Sequence, residues 1–104
     1  MENSVIRKTG KAVPAALHVL ISGRVQGVGF RYSCYAQARR LGLGGWVRNT
    51  PEGDVEVWLE SPAGELLETM LAWLHRGPPY ARVDHIQYNS VRPTGDCQKF
   101  SIEP

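Results

Sequence analysis

Residues 23–31, "GRVQGVGFR", combine three glycines and two arginines in one short segment. The segment follows a predicted strand and leads into a predicted helix. Glycine lets backbone N–H groups come close to an anion, and a helix start adds unpaired N–H groups and a partial positive charge. Arg31 falls in the first helical turn, where a cation is unfavourable unless an anion is bound. The segment therefore indicates a phosphate-like ligand, with a simple tight turn as the alternative.

A second candidate residue, Asn49, lies near the end of the predicted strand "GWVRNT". Asn49 and Val47 share strand parity, so both side chains project from the same face of a sheet. If Val47 faces the helices, Asn49 projects from the face on which the glycine-rich segment emerges. An amide placed there can hold a water molecule by donating or accepting a hydrogen bond. The alternative is that Asn49 only stabilises the following turn through an Asx interaction.

Strands are predicted wherever apolar residues alternate or β-branched residues cluster. These patterns cover residues 16–22, 45–50, 54–60, 81–91 and 99–103. The sequence "PEG" between the second and third strands predicts a hairpin turn, because proline starts turns and glycine accepts a positive φ. In the fourth strand, Val83 and Ile86 break strict alternation, which predicts a bulge.

Two segments show the periodicity of helices. The first has an apolar stripe formed by Phe30, Cys34, Ala38 and Leu41. Gly42 is placed to end that helix in a left-handed conformation. The second helix is predicted to start with Ser61 as N-cap, Pro62 in the first turn and Glu65 near the positive end of the dipole. Its apolar face consists of Leu67, Met70, Leu71 and Leu74, and Gly77 with two prolines ends it.

The elements follow the order βαββαβ, with a short fifth strand pattern at the end. Right-handed crossovers in both βαβ halves place the helices on one face of the sheet. We therefore predict an α+β fold of the ferredoxin-like type, an antiparallel sheet of four to five strands with two helices on one face. Residues 1–14 are polar and aperiodic, so we expect a flexible N-terminal extension before one domain over residues 15–104.

Composition excludes several classes of protein. The 104 residues contain no apolar run close to the roughly 20 residues of a membrane span, and the N-terminus lacks a signal-peptide pattern. Two cysteines, Cys34 and Cys97, do not make a disulfide framework. RNA-binding modules share the βαββαβ order, but the third strand, "DVEVWLE", is acidic with one aromatic residue, and the net charge is only +2. We expect a cytoplasmic monomer that binds neither nucleic acid nor membrane.

"GRVQGVGFR" followed by "GWVRNTPEGDVE" resembles the acylphosphatase family, and the likeness extends over about residues 16–104. The resemblance implies hydrolysis of acyl phosphates, which are carboxyl-phosphate mixed anhydrides, to carboxylate and inorganic phosphate. It implies that Arg31 binds the phosphoryl group and that Asn49 positions the attacking water. It also implies a phosphate-binding loop made of Gly23, Arg24, Val25, Gln26, Gly27, Val28, Gly29 and Phe30.

The implied reaction suits the residues present. A carboxylate leaving group, whose conjugate acid has a pKa near 4, can depart without a general acid. Phosphoryl transfer then needs mainly positioning and charge stabilisation. The histidines His18, His75 and His85 are scattered and no cluster has metal-ligand spacing, so we expect no metal and no cofactor. We expect inorganic phosphate or a similar anion to inhibit. A non-catalytic anion-binding domain is the alternative.

Overall fold

The computed structural model describes residues 13–95 and 99–104. Most of the predicted extension, residues 1–12, and Cys97 lie outside the described residues. Within them, five strands and two helices follow one another in the predicted order. The elements are β1 (Ala15–Arg24), α1 (Phe30–Arg40), β2 (Gly44–Asn49), β3 (Val55–Ser61), α2 (Leu67–Arg76), β4 (Arg82–Val91) and β5 (Phe100–Ile102).

The strands form one sheet in the order β4-β1-β3-β2-β5. Neighbours among the first four strands run antiparallel, which confirms the predicted ferredoxin-like fold. The fifth strand runs parallel to β2, so the sheet is mixed where the sequence predicts an antiparallel one. On the helix-covered face, Val19 and Ile21 of β1 lie opposite Val57 and Val55 of β3, and all four residues are fully buried. This apolar face fixes the strand register, because a slip by one residue would expose it.

The first helix ends as predicted. Phe30, Cys34 and Ala38 are buried along one stripe, and Gly42 adopts a φ of 73° just beyond the last turn. The Leu43 N–H donates to the Ala38 carbonyl at 2.9 Å, which closes the helix end. Burial raises the pKa of the Cys34 thiol, so this cysteine packs as a small apolar residue.

The predicted start of the second helix is wrong. Ser61 is the last residue of β3, not an N-cap, and the helix begins at Leu67. The Gly64 N–H donates to the Ser61 carbonyl at 3.2 Å, so Ser61 and Pro62 open a turn, a role in which the same residue types are common. Glu65 consequently lies before the helix. The apolar face is confirmed, with Leu67, Met70 and Leu74 buried and Leu71 packed against the core.

A bulge in β4 lies beside the end of β1. The pairing register shifts at Gly23, so that Asp84 is skipped, which confirms the irregularity predicted between Val83 and Ile86. The two backbones come so close that a Cβ on Gly23 would lie 2.2 Å from the Arg82 carbonyl oxygen. Glycine is therefore required at the residue where β1 gives way to the glycine-rich loop.

Glu60 holds the connection between β4 and β5 on the sheet face that the helices leave uncovered. Its carboxylate accepts hydrogen bonds from Trp58 Nε1 at 2.8 Å, from the Thr94 N–H and hydroxyl at 2.9 and 2.7 Å, and from the Gly95 N–H at 3.3 Å. Burial alone would raise the pKa of Glu60, but these donors lower it to about 2. The ionised form is therefore the one that stabilises the fold.

Replacing Glu60 by glutamine should reduce stability in a pH-dependent way. The pKa of Glu60 is depressed in the folded state, so its contribution is present above an unfolded pKa of about 4.5 and fades as the pH falls towards 2. We expect Glu60→Gln to lower the free energy of unfolding by about 1.5–3 kcal/mol at pH 7, the scale of hydrogen bonds to a charged group. Urea unfolding from pH 7 to pH 2.5 measures this.

The matched control is Glu65→Gln, which removes an exposed carboxylate. Its unfolding free energy should follow the wild type across the whole pH range. A Glu60→Gln deficit of the same size at pH 7 and pH 2.5 would contradict a stabilising carboxylate.

Candidate active site

The loop between β1 and α1 is shaped by two left-handed glycines. Gly27 has a φ of 77° and Gly29, the N-cap of α1, has a φ of 79°. A Cβ added to either residue would meet nothing within 4 Å, so the space beside them is open. Glycine is needed at both positions for the backbone conformation, since other residues adopt this region only with strain.

The loop backbone offers hydrogen-bond donors that nothing else in the described chain uses. The N–H groups of residues 25–29 donate to no acceptor among the described residues. The first hydrogen bond of the helix is donated by the Ser33 N–H to the Gly29 carbonyl, at 3.1 Å. Unpaired N–H groups in a left-handed turn that leads into a helix N-terminus form an arrangement that favours anions.

Apolar side chains of the same loop hold it against the core. Val25 and Phe30 are buried, and Val28 packs against the same cluster. The Phe30 ring meets Trp73 of α2 edge-on, with ring centroids 5.8 Å apart. These three loop residues can therefore serve a ligand only through their backbone, while their side chains fix where that backbone lies.

Arg31, in the first turn of α1, is oriented by a hydrogen bond to a residue that follows β5. Its Nη1 donates to the Glu103 carbonyl at 3.0 Å, and the Glu103 N–H donates to the Val47 carbonyl of β2 at 2.8 Å. The guanidinium is partly buried, and its other N–H groups have no partner within the described residues. The arginine is thus oriented by one bond and retains donors that match two oxygens of a phosphoryl group.

Asn49, the last residue of β2, lies on the helix-covered face as predicted, in register with Val55 while Val47 pairs with Val57. Its side chain is partly buried and forms no hydrogen bond in the described part of the chain. The Asx alternative is therefore not observed. Thr50 stabilises the turn instead, because its Oγ1 accepts the N–H of Asp54 at 3.0 Å.

Gln26 links the loop to that turn. Its Nε2 donates to the Thr50 carbonyl at 2.9 Å and to the Asp54 carbonyl at 2.8 Å. The resemblance to acylphosphatases implies that Gln26 is part of the phosphate-binding loop, but the sequence does not indicate this bridge. The acceptors are backbone carbonyls distant in sequence, which no motif in the sequence marks.

Two more arginines, Arg24 and Arg48, differ from Arg31 in their surroundings. Arg24 is exposed at the end of β1, and Arg48 projects from the sheet face opposite to Asn49, where its Nε contacts Glu56 at 2.6 Å. His18 approaches the same carboxylate at 2.6 Å. Burial opposes ionisation of Glu56, but the hydrogen bonds from His18 and Arg48 leave its pKa below the usual value. Arg48 is therefore a paired charge on the far side of the sheet.

The described residues contain neither a membrane-spanning helix nor a cluster of metal ligands. No helix there is long and apolar enough to cross a membrane. No group of three or more His, Cys, Asp or Glu residues in that part of the chain is arranged to hold a metal ion.

Comparison with known proteins identifies the family. The family model described as Acylphosphatase matches residues 17–102, which include the loop, Arg31 and Asn49. The chain belongs to the acylphosphatase family. An acylphosphatase of Methylococcus capsulatus is 46% identical over 86 residues, or 83% of this chain and 92% of that protein. One from Thermococcus kodakarensis is 49% identical over 78 residues, covering 75% and 85%.

Solved structures show the same relationship. The crystal structure of acylphosphatase from Bacillus subtilis superposes with a TM-score of 0.81 at 33% identity, covering 86% of this chain and 99% of that one. The acylphosphatase resemblance of the two sequence motifs is thereby confirmed for nearly the whole described domain.

Gly29→Ala tests whether the left-handed loop serves an anion. A side chain at this φ costs about 1–2 kcal/mol, and relief of that strain would turn the loop N–H groups away from a ligand. We expect a lower melting temperature and a phosphate affinity about tenfold weaker, the equivalent of one lost charge-assisted hydrogen bond. Isothermal titration calorimetry with inorganic phosphate measures the affinity.

Gly42→Ala is the matched control, because Gly42 has nearly the same φ, 73°, equally open space and a place at the other end of α1. It should lose similar stability and keep its phosphate affinity. Equal phosphate affinity in both variants would reduce the loop to a structural turn.

Proposed function

We propose that this chain hydrolyses acyl phosphates to a carboxylate and inorganic phosphate, with the loop of residues 23–30 and Arg31 binding the phosphoryl group and Asn49 positioning the attacking water. Membership of the acylphosphatase family supports the reaction. The free side-chain amide of Asn49 supports the assignment of roles most strongly. A half-buried amide beside an anion-binding loop has hydrogen-bonding capacity that no described protein group uses.

The reaction follows from these groups. The loop N–H groups and Arg31 hold the phosphoryl oxygens, whose charge shifts as the phosphorus–oxygen bond to the acyl group lengthens. The Asn49 amide holds a water in line with that bond. The water oxygen bonds to phosphorus, the acyl carboxylate leaves with the bonding electron pair, and the water proton passes to a phosphoryl oxygen. Because the leaving group is a weak base, with a conjugate acid of pKa near 4, no side chain must protonate it.

We further propose that the reaction needs no metal ion and that the protein is a monomer that does not bind nucleic acid. Trp46 and Trp58, on the uncovered sheet face, stack on each other with centroids 6.4 Å apart and planes inclined by 17°. Glu56 and Glu60 flank these rings on the same face, and both carboxylates have lowered pKa values. The ionised carboxylates on this face repel nucleic-acid phosphates, which supports the small-molecule assignment.

Hydrolysis of a simple aromatic acyl phosphate by the purified protein tests the activity. We expect turnover that is unchanged after dialysis against a chelator, since phosphoryl charge is balanced by N–H groups and Arg31. Release of inorganic phosphate, corrected for spontaneous hydrolysis, measures it. Absence of turnover would leave the non-catalytic anion-binding alternative, and loss of turnover with chelator would contradict a metal-free reaction.

Substitution of Arg31 and Asn49 should separate binding from catalysis. Arg31→Ala should weaken phosphate inhibition and turnover together by about tenfold or more per lost bond, and Arg31→Lys should restore only part, because lysine lacks the planar fork. Asn49→Ala should reduce turnover roughly a hundredfold or more and leave phosphate inhibition nearly unchanged. Melting curves verify folding of each variant.

A folded Asn49→Ala protein with normal turnover would contradict the water-positioning role. Normal phosphate inhibition in folded Arg31→Ala would contradict the role of the arginine in binding.

A further inference from the structure

Gln26 uses both of its amide hydrogens within the protein. The Thr50 carbonyl that it contacts already accepts the Gly53 N–H at 3.1 Å, and the Asp54 carbonyl already accepts the Thr50 N–H at 2.9 Å. The Gln26 Nε2 adds a second hydrogen bond to each carbonyl, at 2.9 and 2.8 Å. A side chain engaged in this way has no N–H left for a phosphoryl oxygen.

We propose that Gln26 is a positioning residue that fixes the phosphate-binding loop relative to Asn49. This inference rests on the proposed function, because it concerns the distance between bound phosphoryl group and attacking water. It assigns to the Gln26 side chain a contact with the protein rather than with substrate.

The sheet topology explains why such a bridge is needed. The loop extends from β1 and Asn49 ends β2, but these strands are not neighbours, because β3 lies between them. Backbone pairing therefore connects the loop to Asn49 only indirectly, through the β1–β3 pairing and then the β3–β2 pairing. The Gln26 side chain crosses this gap directly and binds the carbonyl of Thr50, the residue after Asn49.

The position of the bridge makes its effect specific. Thr50 is buried and its N–H, Oγ1 and carbonyl all take part in the turn, so the turn moves as a unit. Without Gln26, the loop would keep its glycine conformation, its N–H groups and Arg31, and would still bind phosphate. The turn that carries Asn49 would be free to shift, and a displacement of about 1 Å between reacting groups can cost on the order of a hundredfold in rate.

Gln26→Met tests the inference, because methionine has a similar length and no N–H. We expect turnover to fall about tenfold to a hundredfold, while inhibition by inorganic phosphate changes by less than about threefold. Gln26→Asn, which keeps the amide but is one methylene shorter, should lose turnover in the same way and serves if the methionine variant does not fold. Gln37→Met is the matched control. Gln37 lies on α1, where its side-chain oxygen accepts a hydrogen bond from Arg40, and it does not contact the β2–β3 turn. The turnover of this variant should equal that of the wild type.

A double-substitution cycle distinguishes this role from a general loss of structure. In an Asn49→Ala background, Gln26→Met should reduce turnover by less than about threefold, because no positioned amide remains to be displaced. All rates are measured well below the melting temperature of each variant.

Three results would overturn the inference in an active wild-type enzyme: nearly normal turnover of both folded Gln26 variants, a full additional loss in the Asn49→Ala background, or phosphate inhibition that falls in parallel with turnover. Absence of turnover in the wild type itself would overturn the proposed function, and the inference with it.

Discussion

The site depends on a stretch of backbone that leaves its own N–H groups unpaired. Between β1 and α1, the backbone N–H groups of residues 25–29 donate no hydrogen bond within the described chain, although unpaired donors are costly wherever water is excluded. The open space beside Gly27 and Gly29 gives these donors access to a ligand, and the buried side chains of Val25 and Phe30 keep the segment from collapsing. The same short segment thus contributes side chains to the apolar core and unpaired N–H groups to the candidate site.

Two further contacts tie this loop to the strand that carries Asn49. Arg31 contacts the Glu103 carbonyl, whose residue donates in turn to Val47 of β2. Gln26 contacts the two carbonyls of the β2–β3 turn. These contacts connect the loop, the β2–β3 hairpin and the last residues of the domain, so that a shift of any one of them should change the position of the loop, Arg31 and Asn49 relative to one another.

Periodicity in the sequence was sufficient to predict the elements and the sheet face on which Asn49 lies, because strand parity and buried alternation follow directly from β geometry. It failed at Ser61, since serine followed by proline suits a turn as well as a helix start. It could not reveal the partners of Arg31 and Gln26. In both cases the acceptor is a backbone carbonyl, an atom that every residue has, so residue type carries no signal and only the folded chain brings donor and acceptor together.

In the proposed reaction, water held by Asn49 attacks phosphorus, so the oxygen of that water must end in inorganic phosphate. Single-turnover hydrolysis of an acyl phosphate in ¹⁸O-labelled water, with mass analysis of both products, follows that atom. We expect the label to enter inorganic phosphate and the carboxylate to remain unlabelled above the spontaneous background. Label in the carboxylate would mean that water attacks the acyl carbon, and it would contradict the mechanism built on the loop, Arg31 and Asn49.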